Sequence, residues 1–299
     1  MRCATWVIHV ACLLFVFVQG AWSCLTQNID VKARHSFSAP CGWALGKEDA
    51  GKICGVFSVV QNSALRFEGV CRLDASAYGR VQAEDIRMMS KYLRPGSKVL
   101  DVGCGFGMPT SQALAYYRMS ACDMLGGNAG SYGYDREFIE SIMKVRLADT
   151  DGVFRWSEPE HIPFDDCEFD GILLYAVIEH VPNCHKEGFL RECLRVLKPG
   201  GRIFMYRAVN RRSITEKAVA AAGIVTHGED VVDLTQMKRL FSHVGLRLVR
   251  WGYQGWLPEN GLSRFWIYWL NRFLCSIPIV RLFSHDYWFV TEKQALASF

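Results

Sequence analysis

A glycine-rich segment behind a short apolar run is the part of the sequence best suited to hold a ligand. The apolar run predicts a buried strand, Val99–Val102, that passes directly into Gly103-Cys104-Gly105-Phe106-Gly107. Glycine lets the backbone approach a ligand closely and adopt positive φ. In open α/β sheets such a loop lies at the carboxyl ends of the strands, where ligands bind. We therefore expect a bound cofactor to be surrounded by Asp101, Gly103, Cys104, Gly105 and Gly107.

The spacing of these glycines separates two classes of cofactor enzyme. The G-x-G-x-x-G fingerprint of nicotinamide enzymes would place its third glycine at position 108. This chain has Met108 there and Gly107 one residue earlier. The G-x-G-x-G form resembles motif I of the class I S-adenosylmethionine-dependent methyltransferases, of the small-molecule, type 11-like branch, and the resemblance spans roughly residues 78–255. It implies a doubly wound α/β fold with a seven-stranded, mostly parallel sheet, and S-adenosyl-L-methionine as cofactor.

The resemblance also assigns an acidic residue to the cofactor's ribose. In the family, a carboxylate that ends the second strand accepts hydrogen bonds from both ribose hydroxyls, a task that suits its two acceptor oxygens. Gly133-Tyr134-Asp135 resembles this motif, with Tyr132–Tyr134 as the second strand, and makes Asp135 the expected residue. The loop before Gly133 is longer than is usual in the family, so Asp123 remains the alternative.

A third motif concerns the adenine ring. Glu158-Pro159-Glu160-His161-Ile162-Pro163 resembles the segment after strand three, where the family places an acidic residue on the adenine amino group. Counting back from Pro163 selects Glu158. The next residue normally offers its backbone N–H to the ring, but Pro159 has none. The adenine contact is therefore expected to be weakened or shifted.

Candidate catalytic residues follow from the fourth motif. Phe169–Val181 resembles the family's strand four and its exit, which places Tyr175 at the carboxyl end, facing the cofactor's methionine part or the acceptor. Methyl transfer needs a general base only if the acceptor is a hydroxyl, a protonated amine or a carbon acid. His180 and His227 are the candidate bases, and a loop histidine without a catalytic task is the alternative for each. Nothing in the sequence predicts a metal site.

Alternating patterns supply the elements that position these residues. Predicted helices cover Arg80–Leu93, Thr110–Arg118, Asp135–Met143, Lys186–Leu197 and Leu234–Val244, the fourth with an apolar face opposite Arg191 and Arg195. Predicted strands after the first two are Val153–Trp156, Gly171–Tyr175, Ile203–Tyr206, Leu246–Trp251 and Tyr287–Thr291. Pro199-Gly200-Gly201 is expected to stop the fourth helix. Alternation of this kind is typical of a mostly parallel sheet.

Two segments lie outside this pattern. Residues 1–25 have Arg2, an apolar run and a small-residue step, which predicts a signal peptide or signal anchor and a membrane-associated or secretory location. Because S-adenosylmethionine is a cytosolic cofactor, a cytoplasmic location is the alternative. Residues 26–78 have no clear periodicity, and the methyltransferase domain is expected over 79–299. Within this domain, the insert 255–283 is rich in aromatic residues with arginines between them. It predicts either peripheral membrane contact or a cover over an apolar acceptor, and simple packing on the sheet is the alternative.

Composition excludes some functions. The net charge of +4 is small for 299 residues and gives no basic stripe, so no nucleic-acid partner is expected. Twelve cysteines show no C-x-x-C pair and no zinc spacing. Buried thiols such as Cys104 and Cys193 are the main interpretation, and disulfides among Cys41, Cys54 and Cys71 are the alternative.

The sequence thus predicts an enzyme that transfers a methyl group in line to a small-molecule or lipid-like acceptor. Two other hypotheses remain open. One is a methyltransferase-like fold that binds without catalysing, which the proline at position 159 favours. The other is a different Rossmann-type enzyme, which would bind a nicotinamide dinucleotide and not S-adenosylhomocysteine.

Overall fold

A computed structural model describes residues 77–124, 136–158, 160–221, 230–256 and 265–294. The strands among them form one seven-stranded sheet in the order β3-β2-β1-β4-β5-β7-β6. β7 runs antiparallel to both of its neighbours, while β1 to β5 pair in parallel. The strands are β1 (Lys98–Val102), β2 (Arg118–Met124), β3 (Phe154–Ser157), β4 (Phe169–Tyr175), β5 (Leu197–Val209), β6 (Leu246–Gln254) and β7 (Asp286–Lys293). The predicted α/β fold with a mostly parallel sheet is confirmed.

Helices cover both faces of this sheet. The α-helices are α1 (Ala77–Met89), α2 (Met108–Ala113), α3 (Arg136–Arg146), α4 (Lys186–Val196), α5 (Ile214–Ala221), α6 (Leu234–Val244) and α7 (Phe265–Ser276), and short 3₁₀ turns cover Ile178–His180 and Val280–Phe283. On one face, Ile86 of α1 and Ile142 of α3 pack against Val99 and Leu173. On the other face, apolar residues of α4 and α6 pack against the alternate residues of the same strands. The strands are therefore buried on both sides, as parallel strands usually are.

The boundaries of α4 and α6 follow from local signals. Helix α6 begins after Asp233, whose carboxylate accepts the backbone N–H groups of Thr235 and Gln236, and it ends at Gly245 with φ of 86°. Both ends are those expected from the sequence. Helix α4 ends at Val196 because Leu197 is already extended. The expected stop at Pro199-Gly200-Gly201 is wrong, since these residues lie within β5.

The second strand differs from its prediction. It is β2, Arg118–Met124, and not Tyr132–Tyr134, which lies outside the described residues. The predicted helix Thr110–Arg118 is correspondingly too long, because α2 ends at Ala113 and the chain turns into β2. The sequence of β2 is Arg-Met-Ser-Ala-Cys-Asp-Met, and its interior is buried on both faces. Such a strand shows neither the alternation nor the β-branched residues that reveal a strand in sequence.

The segments outside the domain core give less information. Residues 1–25 and most of 26–78 lie outside the described residues, so the predictions for them stay predictions. No helix within the described ranges is long and apolar enough to cross a membrane. In the insert 255–283, Trp256 and Leu274 are buried, whereas Trp269 and Phe273 on α7 are 54% and 61% exposed. The insert therefore both packs on the domain and presents aromatic side chains to solvent.

Candidate functional site

The glycine loop after β1 has the backbone that its sequence requires. Gly103, Gly105 and Gly107 have φ of 75°, 53° and 66°, a region that L side chains rarely adopt. A Cβ on Gly103 would lie 2.7 Å from Cγ2 of Val177, so this glycine permits close packing against the exit of β4. A Cβ on Gly105 would meet no atom within 4 Å. The middle of the loop therefore faces open space at the carboxyl edge of the sheet.

Hydrogen bonds fix this loop to β2. The backbone N–H groups of Gly103 and Cys104 donate to the carbonyl oxygen of Cys122 at 2.9 and 3.2 Å. Gly105 donates its N–H to Oδ2 of Asp123 at 2.6 Å, and Oδ1 of the same carboxylate accepts the N–H of Met124 at 2.6 Å. Asp123 is thus the penultimate residue of the second strand and contacts the loop, close to where the resemblance places the ribose-binding acid. Asp135 lies outside the described residues, so its role stays a prediction.

Asp101 is a buried acid beneath the loop. Its Oδ2 accepts the hydroxyl of Thr110 on α2 at 2.6 Å, while its Oδ1 has no hydrogen-bond partner within the described part of the chain. Burial, together with the nearby charge of Asp123, raises the pKa of Asp101 to about 7. Burial also raises the pKa of Asp123. A cationic group next to either carboxyl would favour its charged form, because a positive charge offsets the cost of burial.

Cys104 of the loop and Cys193 of α4 both have buried thiols. This burial is as expected, and it raises the pKa of both thiols. A thiol held protonated in this way is a poor nucleophile and packs as a small apolar side chain. The candidates for disulfides, Cys41, Cys54 and Cys71, lie outside the described residues.

Glu158 lies one residue beyond the end of β3, at the same sheet edge as Asp123. Its backbone N–H and C=O pair with those of His161 at 3.1 and 3.2 Å, which closes a tight turn. The side chain is exposed and the following Pro159 lies outside the described residues. Glu158 is therefore placed where an adenine-binding acid is expected, and its role stays a prediction.

The three candidate catalytic residues have different surroundings. Tyr175 ends β4 with a buried side chain, and its hydroxyl donates to Oδ2 of Asp85 at 3.0 Å. His180 is half-buried in the 3₁₀ turn that follows, and its N–H bonds to the carbonyl of Val177, the residue packed on Gly103. The backbone of His180 is thus linked through Val177 to the exit of β4 that packs on the glycine loop, whereas His227 lies outside the described residues.

Two residues of this region were not anticipated from the sequence. Thr110 supplies the hydroxyl that binds Asp101. Asp85, on α1, receives hydrogen bonds from Tyr175 and from Gln254, which are 90 and 169 residues away. No sequence pattern links positions so far apart, and only the packing of α1 across the sheet brings them together.

S-adenosylmethionine fits the residues present. The unpartnered oxygen of Asp101 suits a cationic group. The open space at Gly105 leaves room for the cofactor to approach the backbone of the loop. Asp123 has lone pairs beyond those used by Gly105 and Met124, which suits a pair of ribose hydroxyls. These features converge at the carboxyl end of β1, the region where open α/β sheets bind nucleotides.

The part of the chain that contains the glycine loop also resembles known proteins. Residues 100–205 match the family model of the methyltransferase domain. The chain is 34% identical over 137 residues to sterol 24-C-methyltransferase of Schizosaccharomyces pombe, which covers 44% of this chain and 34% of that protein. It is 31% identical over 165 residues to a ubiquinone/menaquinone biosynthesis C-methyltransferase of Ralstonia pickettii, which covers 53% of this chain and 61% of that protein. The chain thus spans less than two thirds of either relative.

A solved structure supports the fold. An S-adenosylmethionine-dependent methyltransferase from Archaeoglobus fulgidus aligns with a TM-score of 0.51 at 17% identity, covering 78% of this chain and all (100%) of that one. At this identity the likeness concerns the fold alone. Together with the family match, it confirms the resemblance inferred from the glycine motif.

Proposed function

Because residues 100–205 belong to the class I S-adenosylmethionine-dependent methyltransferases, of the type 11 branch, we propose that this chain methylates a small-molecule or lipid-like acceptor. The observation that carries the proposal is the hydrogen bond from Gly105 to Asp123 above the buried Asp101. Asp101, Asp123 and the loop Gly103–Gly107 together form an acidic cradle at the carboxyl edge of the sheet. The similarity to two C-methyltransferases, one acting on sterols and one in quinone biosynthesis, favours an acceptor with a large apolar part.

In this proposal each residue of the cradle has a defined task. Bound S-adenosylmethionine supplies an electrophilic methyl group already activated by its sulfonium charge. Asp101 binds the cationic part of the cofactor, and Asp123 binds the ribose hydroxyls, in place of the Asp135 first inferred from the sequence. Glu158 lies at the edge assigned to adenine. The protein then acts mainly by alignment, since holding the acceptor in line with the methyl group removes most of the entropic cost of the encounter.

A base is required only for some acceptors. In this proposal His180, in the turn that follows β4, accepts a proton from a hydroxyl or ammonium acceptor. His227 stays a second candidate. An acceptor carbon that is already nucleophilic would need neither histidine before the transfer.

The membrane surface is the proposed source of the acceptor. Helix α7 exposes Trp269 and Phe273 four residues apart, with Arg272 on the same side, and Ile279 follows at 65% exposed. Aromatic rings beside an arginine suit the bilayer interface, where both find partners. In this proposal residues 1–25 bring the chain to the membrane or the secretory route, and a fluorescent protein fused behind residues 1–30 should leave the cytosol.

The decisive experiment has two parts. Calorimetry should detect binding of S-adenosylhomocysteine and none of a nicotinamide dinucleotide. Incubation with isotopically labelled S-adenosylmethionine and lipid or metabolite extracts should then label a product that mass spectrometry identifies. Binding without any labelled product would favour the catalytically inactive, methyltransferase-like binding module. Failure to bind S-adenosylhomocysteine would overturn the proposal.

A further inference from the structure

A second group of polar side chains meets at the carboxyl edge, away from the glycine loop. Asp85 of α1 lies 6% exposed, between the end of β4 and the end of β6. Nε2 of Gln254 donates to both of its oxygens, at 2.8 and 2.9 Å. The Tyr175 hydroxyl donates to Oδ2 at 3.0 Å. Three elements distant in sequence are thus joined by one buried carboxylate.

Charged residues extend this group along the same edge. Nε of Arg207 donates to the Tyr175 hydroxyl at 3.3 Å, and its Nη1 bonds to Oδ2 of Asp286 at 3.2 Å. Nδ1 of His285 lies 2.5 Å from the other oxygen of Asp286, and Nε2 of His285 lies 3.6 Å from Glu216. We call Asp85, Tyr175, Arg207, Gln254, Asp286 and His285 the edge network. It holds Tyr175 and Gln254 in fixed orientations through several linked contacts.

The backbone beneath the edge network is strained. Ala176 and Arg207, at the ends of β4 and β5, have φ of 55° and 63°, in the left-handed region that non-glycine residues avoid. Such conformations persist only when the surroundings impose them, and they concentrate at binding sites. Here the N–H of Ala176 bonds to the carbonyl of Tyr206, and the Arg207 guanidinium is held by Asp286.

Polar atoms that point away from the edge network have no partner among the described residues. Because the Gln254 amide nitrogen faces a carboxylate, its Oε1 must point away, and this buried oxygen accepts no hydrogen bond. Oε1 of Gln82, one helical turn before Asp85, is also buried and unpartnered, and Gln82 is only 3% exposed. The hydroxyl of Tyr206, whose ring centroid lies 6.0 Å from that of Tyr175, is a third such group. Buried polar groups usually find partners. These three atoms belong to residues around Asp85, since Gln254 bonds to it, Gln82 precedes it by one turn of α1, and after burial its charge is the next cause of the raised pKa of Tyr206.

We propose that these groups bind the polar end of the methyl acceptor, and that this end is a hydroxyl or an ammonium group. The inference rests on the proposed methyltransferase function. Two of the three unpartnered atoms are amide oxygens, which only accept hydrogen bonds, so the complementary group must donate. The nearby carboxylate of Asp85 disfavours a carboxylate or phosphate in the same place, because like charges repel strongly in a buried site.

The position of this subsite relative to the cofactor cradle supports the assignment. Tyr175 precedes by two residues Val177, which packs on Gly103 of the glycine loop. The subsite and the cradle therefore flank the end of β4. An acceptor anchored by its polar end at Gln82 and Gln254 could extend toward the methyl group. Fixing that end would supply the alignment on which methyl transfer depends.

The test uses three probes that share one apolar frame: cyclohexanemethanol, cyclohexanemethylamine and cyclohexanecarboxylate. Saturation-transfer NMR measures their binding to the full chain, with and without S-adenosylhomocysteine. The alcohol and the amine should bind at least about tenfold more tightly than the carboxylate, which cannot donate a hydrogen bond and would bring a like charge close to Asp85. The change Gln82→Met should weaken alcohol binding by about tenfold and leave the affinity for S-adenosylhomocysteine unchanged.

A second variant separates this role from a structural one. Tyr206→Phe removes a hydroxyl that bonds to none of the described residues, so it should keep or raise the melting temperature while weakening the binding of the alcohol and the amine. A lower melting temperature with probe binding intact, equal binding of the carboxylate, or no binding of any probe overturns the subsite. Loss of S-adenosylhomocysteine binding with selective probe binding retained counts against the proposed function alone.

Discussion

Gly105 donates its backbone N–H to Oδ2 of Asp123 at 2.6 Å, which ties the middle of the glycine loop to the end of the second strand. The contact explains why a loop with three positive-φ glycines holds one shape. Because β2 ends at Met124, it also places the carboxylate of Asp123 at the sheet edge beside the loop, where the proposed ribose contact would form.

Replacement of Asp123 tests this placement. Asp123→Ala should weaken S-adenosylhomocysteine binding by about 1.5–3 kcal/mol, the value of charge-assisted hydrogen bonds, or roughly 10- to 150-fold in Kd. Titration calorimetry measures the change. Asp149→Ala, on an exposed acid before β3, is the matched control and should leave Kd unaltered. If Asp135→Ala weakens binding and Asp123→Ala does not, the ribose assignment reverts to Asp135.

A pair of glycines tests the open space in the loop. Gly105 and Gly96 both have positive φ, and a Cβ on either would meet no atom within 4 Å. Gly105→Val and Gly96→Val should therefore destabilise the fold to a similar extent, by about 1–3 kcal/mol. Only Gly105→Val should abolish binding of S-adenosylhomocysteine, because its side chain would occupy the cofactor's position. Equal affinity in the two folded variants would show that the cofactor lies elsewhere.

The pKa of Asp101 predicts a pH dependence. Burial raises it from 3.8 to about 7, so between these values the folded chain keeps a proton that the unfolded chain has lost. The free energy of unfolding should therefore fall as pH rises from about 4 to 7. Asp101→Asn should remove this part of the decline and be more stable than the parent at pH 8, as measured by urea unfolding. Identical pH profiles for the two proteins would contradict it.

How far the sequence predicts this molecule depends on whether the signal is local. The glycine loop, the bounds of α6 and the apolar strand β4 are each encoded within a few residues, and the sequence predicts each of them. β2 was not, because its buried interior, Met119–Cys122, has no two-residue alternation and no β-branched side chain. The strand predicted at Tyr132–Tyr134 made Asp135 the expected ribose-binding acid and Asp123 the alternative, whereas the observed β2 carries Asp123 near its end.

The edge network could not be predicted for a different reason. Asp85 and Gln254 are joined by a hydrogen bond across 169 residues. Neither residue lies in a motif, and a polar side chain on an amphipathic helix is normally expected to face solvent. Only the packing of α1 over the ends of β4 and β6 buries the Asp85 carboxylate and gives it partners.

His285 gives a second pH prediction with a different range. Burial alone would lower its pKa, but the adjacent Asp286 and Glu216 raise it from 6.5 to about 10. The protonated imidazole therefore stabilises the fold fully below pH 6.5, and this contribution is lost as pH rises toward 10. His285→Gln should flatten the decline in unfolding free energy between pH 6.5 and 9.5. Denaturant unfolding at several pH values measures it, and a decline as steep as that of the parent would show that His285 is not held charged.

The exposed face of α7 leads to the last prediction, on the source of the acceptor. Trp269 and Phe273 are 54% and 61% exposed on a helix whose Asn271 and Leu274 are buried, so this face presents two large apolar side chains to solvent. If this face contacts lipid, residues 26–299 should float with anionic vesicles in a density gradient. Trp269→Ser combined with Phe273→Ser should reduce the floated fraction severalfold, because each large apolar side chain contributes about 1.5–3 kcal/mol on leaving water.

The control is the double variant Val145→Ser with Val153→Ser, which removes two other exposed apolar side chains far from α7 in sequence. These side chains are 58% and 42% accessible, and the change should leave flotation unchanged. Equal loss in both double variants would mean that general hydrophobicity drives association, and no flotation of the parent would leave α7 a helix that only covers the sheet.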